Sequence, residues 1–329
     1  MLSSAATTAR PPALSANLPA VVGQPVRMPS GAMANWLDRR LHLQHGPIDL
    51  IINAEGDKAE VAAAYARAAD AFCGLLDRLV DELTMLRLPA DSNTINRLKG
   101  PVAKRMAAAI SPHLPRHDKA DFITPMIAVA GSVADEILLA MGNQLDRASV
   151  NNGGDIALYL GKGAFFDIGI ADDRDTHLSD FAMAASGGGG GHMPLHGRIR
   201  LHDHDLIGGI ATSGWRGRSL SLGIADSVTV LAQNAAAADV AASLIANSIT
   251  ILSPAITRQS AASLVPDSDL KDRLVTVDVG PLSADEIDHA LAAGAALARQ
   301  MCDDGQIMTA YARLGGRSFI IANEWVVRE

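Results

Sequence analysis

Cysteine and aromatic residues are scarce in this chain, basic residues are outnumbered, and no long apolar run occurs. Of 329 residues only Cys73 and Cys302 are cysteine, far apart and in no metal-ligand spacing. A disulfide framework is therefore not expected, which suits a reducing, cytoplasmic compartment. Phe, Trp and Tyr make up 4% against 48% hydrophobic residues, so the core is built largely of Ala, Val, Ile and Leu. Lys and Arg number 28 against 36 Asp and Glu, a net charge of −8. Without a basic face for phosphates, nucleic acid is not the expected partner. No stretch reaches the roughly 18 consecutive apolar residues of a spanning helix, and no membrane partner is expected. A GxSxG turn and a Ser-His-Asp order are also missing, which leaves hydrolase chemistry without support.

What is present is an order of elements. Residues 1–34 are rich in Ser, Thr, Ala and Pro and lack the basic start of a signal peptide. They read as a disordered N-terminal extension, or as an over-extended start whose true beginning is Met33. Residues 40–45 and 48–52 alternate about Gly46-Pro47 as a hairpin. Apolar residues then recur at three and four spacing over 58–86, a long helix ended by Pro89. A second helix covers 98–110. The central stretch, 123–161, reads as a turn, a buried helix with Pro125 near its start, and a strand broken at Asn151-Asn152-Gly153-Gly154-Asp155. Short strands follow over 165–170, 199–201, 206–211, 220–222 and 227–232. The glycine run 186–191 is expected to be a mobile loop tip. A helix over 235–249, a strand over 274–279 and a helix opened by a Ser283/Glu286 capping box come next. A hairpin of 307–314 and 318–322 over Gly315-Gly316 closes the chain. Strands and helices alternate without a βαβ rhythm, so the class is α+β.

Several runs carry chemistry. In Asn152-Gly153-Gly154-Asp155, Gly-Gly lets a flat or anionic group approach the backbone, and Asp155 offers acceptors to ribose hydroxyls. A bulge with an Asx turn is the structural alternative. Thr212-Ser213-Gly214 followed by Trp215-Arg216-Gly217-Arg218 suits a phosphate or carboxylate, with a solvated loop as the alternative, above all for Arg218. Asp239 and Ser243 stand four residues apart on one face of the helix over 235–249, where an acid near a helix start is ordinarily a cap or first-turn acid. His177, His192, His196, His202 and His204 cluster in sequence, but Gly191, Pro194 and Gly197 argue against a helical metal pair, and solvated loop histidines are expected.

In this order the motifs resemble the ApbE superfamily, whose known members are FAD:protein FMN transferases. The likeness covers roughly residues 40–322. It leans toward an uncharacterised ApbE-like branch that shares Asn-Gly-Gly-Asp and the run from Asp272 to Gly280. The resemblance implies an ApbE-like (T-fold-like) α+β domain of mixed sheets and packed helices over 35–329. It also implies a small-molecule ligand, FAD or another nucleotide, and Mg²⁺ held by Asp239 and Ser243. Gly131 and Asp135 match a Lys-Gly…Asp motif in which Ala130 replaces the lysine; Gly131 equally suits close helix packing. With Asn152, Gly153, Gly154, Asp155, Thr212, Ser213, Gly214 and Arg216 they form the implied cofactor-binding set. A His-Ile-x-Asp-Pro-x-Thr-Gly segment is replaced by residues 221–227, where Asp226 is the candidate catalytic base. Two alternatives stand beside transfer: a non-catalytic cofactor-binding accessory protein, or a role in sulfur or small-molecule metabolism that needs a reactive cysteine. A homodimer is expected.

Overall fold

Period-two burial builds most of the sheet. In β4 (Ile48–Glu55) every second residue from Ile48 to Ala54 is buried, and β5 (Arg147–Asn152) repeats the pattern through Ala148, Val150 and Asn152. The computed structural model describes residue 18 and residues 25–114, 122–170 and 197–322. In chain order β1 (Val26–Arg27), β2 (Met33–Leu37), β3 (Arg40–His45) and β4 form a meander, followed by α1 (Lys58–Phe72), α2 (Leu75–Asp81), α3 (Leu83–Leu86), α4 (Ser92–Ile95), α5 (Pro101–Ile110) and α6 (Val129–Met141). The chain re-enters the sheet with β5 and β6 (Asp155–Leu160). It leaves through the ribbon β7 (Phe165–Ile170) and β8 (Gly197–His202), and returns in β9 (Gly209–Ser213) and β10 (Ser227–Ala232). Then come α7 (Ala235–Ser248), β11 (Ile256–Ser260), α8 (Ala261–Leu264), β12 (Leu274–Val279), α9 (Ala284–Asp303) and the hairpin β13 (Thr309–Leu314) and β14 (Arg317–Ala322).

The main sheet has ten strands in the order β1-β2-β3-β4-β5-β6-β9-β10-β13-β14, each neighbour antiparallel. The expected α+β class is what the chain adopts. One core joins α1, α5 and α6 to β3–β5. A second joins α7 and α9 to β10 and β13. Residues of the opposite parity on β6, β9 and β10 (Leu158, Ile210, Leu231) face the other way and pack with Leu201 of the β7–β8 ribbon. Among the described residues no helix is long and apolar enough to cross a membrane.

The structure departs from the sequence reading at four places. The helix expected over 58–86 breaks at Gly74, whose φ of 67° is left-handed, and continues as α2 and α3. The helix expected from residue 98 starts at Pro101, in the favoured first position. No strand forms over 220–222: the Leu222 N–H donates to the Asn247 side chain, while the Ser221 carbonyl accepts from Thr276. Of the stretch read as an extension, residues 25–34 carry β1 and the start of β2. The glycine run 186–191, His177, His192 and His196 lie outside the described residues.

Candidate functional site

Two helix N-termini meet at the centre of the molecule. A helix start leaves N–H groups without intrahelical partners, and here each helix supplies the cap of the other. Asp135 of α6 accepts from the Ala235 and Ala236 N–H groups of α7 at 3.0 and 2.9 Å. Asp239 of α7 accepts from the Gly131 N–H of α6 at 3.0 Å. A Cβ at residue 131 would overlap the Ala235 carbonyl and the Ala236 nitrogen, so only glycine admits this crossing. Burial pushes the Asp135 carboxyl above its ordinary range, against the two N–H bonds that favour the charge. Gly131 and Asp135 thus make the helix–helix joint.

The β5–β6 hairpin reaches this joint from the sheet. Its turn residues Gly153 and Gly154 have φ of 71° and 116°, and Asn151 closes an Asx turn by accepting from the Gly154 N–H at 2.9 Å. Asn152 and Asp155 are cross-strand partners. Asn152 donates through Nδ2 to the Ala130 carbonyl at 3.0 Å and ties the hairpin to α6. Asp155 accepts from the Thr212 N–H of β9, and its charge acts on Asp239. Burial, offset in part by the Thr212 N–H and the Arg218 charge, pushes Asp155 up to about 7. Burial and then the Asp155 charge hold Asp239 well above the carboxylate range. Ser243, one turn beyond Asp239, donates to the Ser213 hydroxyl at 3.4 Å. The Thr212 hydroxyl bonds instead to Thr229 at 3.0 Å, so Thr212 serves this cluster only through its backbone.

The loop after β9 divides its two arginines. Gly214 is backed against the Ala225 and Asp226 carbonyls, and the Trp215 N–H donates to Ala225 at 3.0 Å. Arg216 pairs with Asp226 at 2.6 Å and lies over the Trp215 ring. The other Asp226 oxygen accepts from the Gly315 N–H at 2.8 Å. Arg216 and Asp226, expected as ligand contact and base, are thereby joined to each other and to the β13–β14 turn. Arg218 lies against Gly153 and contributes its charge to Asp155. The sequence held this residue in view but gave no reason to prefer it to Arg216.

Other candidates stay apart. His202 and His204 stack at 5.3 Å in the turn after β8, where Asp205 caps the His202 N–H. Cys302 is buried and its thiol is pushed up by that burial and by Asp303; Cys73 is half-buried. Among the described residues no three His, Cys, Asp or Glu side chains are grouped to hold a metal ion. The cluster at the helix joint is therefore two carboxylates and two hydroxyls, Asp155, Asp239, Ser213 and Ser243, an all-oxygen set drawn from β6, α7 and β9.

A UPF0280 protein of Methanopyrus kandleri is 29% identical over 201 residues, 60% of this chain and 69% of that protein. Four further UPF0280 proteins are matched over 45–58% of their own length. Among solved structures, the ApbE protein of Thermotoga maritima aligns over 88% of this chain and 99% of its own at 13% identity, with a TM-score of 0.45. The flavinyl transferase ApbE of Pseudomonas stutzeri, in its apo form, aligns over 89% and 94% at 13% identity, with a TM-score of 0.37. The family described as AbpE bacteria matches residues 33–320, from the first residue of β2 into β14. On that match the chain belongs to the AbpE bacteria family.

Proposed function

We propose that this ApbE-like protein binds a flavin or another nucleotide-like, phosphorylated ligand with a divalent cation, as a transferase related to the FAD:protein FMN transferases. The observation that carries the reading is the pair of carboxylates Asp155 and Asp239, in which the Asp155 charge opposes ionisation of Asp239 unless a proton or cation is bound. Mg²⁺ takes oxygen ligands, keeps several waters, and is held by one or two carboxylates together with ligand phosphates. Asp155, Asp239 and the Ser243 and Ser213 hydroxyls fit that requirement. Asp239 and Ser243 would be the principal ligands. Such an ion stabilises charge on a phosphoryl group. Open space over Gly154 leaves room for a flat or anionic group beside the cluster.

A second reading, a cofactor-binding accessory protein without transfer activity, is favoured by Asp226. Its two oxygens are engaged by Arg216 and the Gly315 N–H, which leaves it poorly placed to take a proton.

Calorimetric titration of FAD, with excess Mg²⁺ or with EDTA, tests the proposal. Asp239→Asn is the companion variant, since Asn keeps an oxygen for the Gly131 N–H. Expected is binding in Mg²⁺ that weakens about tenfold or more in EDTA and in the variant. No FAD binding in either condition overturns the flavin reading. Binding without FMN transfer to a threonine-containing acceptor selects the accessory protein.

A further inference from the structure

We propose that Arg218 is the residue through which this site recognises a phosphate ester of its ligand, across the Gly153–Gly154 turn. The inference rests on the ligand class proposed above. The guanidinium of Arg218 occupies the place a side chain at residue 153 would take, so the turn is built of glycine on the side where the arginine lies. Over Gly154 the space is open, and this half-buried turn is where a ligand would meet the exposed arginine.

The neighbouring cation is already engaged. Arg216, two residues before Arg218, is fixed by Asp226. Arg218, among the described residues, makes neither a hydrogen bond nor an ion pair at contact distance. It is drawn to the turn by the charge of Asp155 without a bond to it. Its planar fork of donors therefore remains available, and that fork matches two oxygens of a phosphate at once. Gly217, between the two arginines, separates the one that anchors the loop from the one that faces the hairpin.

The test compares Arg218→Met and Arg218→Lys with the wild type for binding of riboflavin, FMN, FAD and ADP. Arg218 is exposed, and circular dichroism of each variant checks that folding is unchanged. Expected for Arg218→Met is a loss of about tenfold or more in FMN and FAD affinity with riboflavin unchanged within about twofold. The lysine variant recovers part of the loss, as a point charge without the fork. ADP separates a contact to the diphosphate from one confined to the flavin monophosphate. FMN and FAD affinities that match the wild type in Arg218→Met overturn the inference and leave the ligand class standing. So does an equal loss for riboflavin and FAD, which marks a change in the turn rather than a lost phosphate contact. Failure of the wild type to bind any of the four overturns both.

Discussion

Gly131→Ala is expected to destabilise the protein by about 3–5 kcal/mol, enough to unfold a domain of ordinary stability. Local propensity points the other way, since alanine in place of glycine favours a helix by about 1 kcal/mol. The sign is decided by what the methyl meets. It would fall on the backbone of Ala235 and Ala236, atoms that cannot swing aside as a side-chain tip does. Relief requires α6 and α7 to move apart. That movement breaks the Asp135 bonds to Ala235 and Ala236 and the Asp239 bond to Gly131, and leaves buried polar groups unpaired. Urea denaturation followed by circular dichroism measures the loss. A variant as stable as the wild type, or more stable, means that the two helices do not depend on this close approach.

In the absence of cation and ligand, stability is expected to fall as pH rises between about 4 and 7, and Asp155→Asn to reduce that slope. Asp155 has a folded pKa of about 7, above the usual carboxylate value. Across the window the folded protein keeps a proton that the unfolded chain has released, so each rise in pH favours unfolding. The contribution of Asp155 approaches about 1.4 kcal/mol per pH unit and levels off above pH 7, where this carboxyl is ionised in both states. Asp135 and Asp239, raised by burial, act in the same direction. Half-buried His113 acts in the opposite one, because desolvation holds its pKa below the ordinary value and its folded form resists protonation. The difference between wild type and Asp155→Asn, from urea melts in EDTA at several pH values, isolates the carboxylate. A parallel pH dependence in the two proteins would show that Asp155 ionises as freely in the fold as in the unfolded chain.

Much of the hairpin and capping detail is legible in the sequence because it is local. Asn151-Asn152-Gly153-Gly154-Asp155 carries its own turn, and the Ser283/Glu286 capping box forms as read. The reciprocal caps are not legible. Asp135 and Asp239 stand within helices, where an acid ordinarily reads as surface charge, and their partners lie about a hundred residues away. Gly74 shows the limit of periodicity. The apolar spacing continues across it, and a helix interrupted by a single glycine keeps the same pattern. Within Trp215-Arg216-Gly217-Arg218 the sequence reads Arg216 as the ligand contact and Arg218 as a solvated side chain. Their surroundings are set by tertiary approach, of Asp226 to one and Gly153 to the other.

The most direct test of a cation-dependent ligand site at Asp155 and Asp239 is the number of protons released when FAD and Mg²⁺ bind. Calorimetry at pH 6.5 in two buffers of different ionisation enthalpy reads it. Asp155, with a pKa of about 7, is mostly protonated at that pH, and a cation beside it must displace the proton. Expected is a net release of about one proton or more per site, from Asp155 and from Asp239, reduced in Asp155→Asn and absent when EDTA replaces Mg²⁺. Binding of equal strength in EDTA, with no net proton released, would contradict a cation between these two carboxylates.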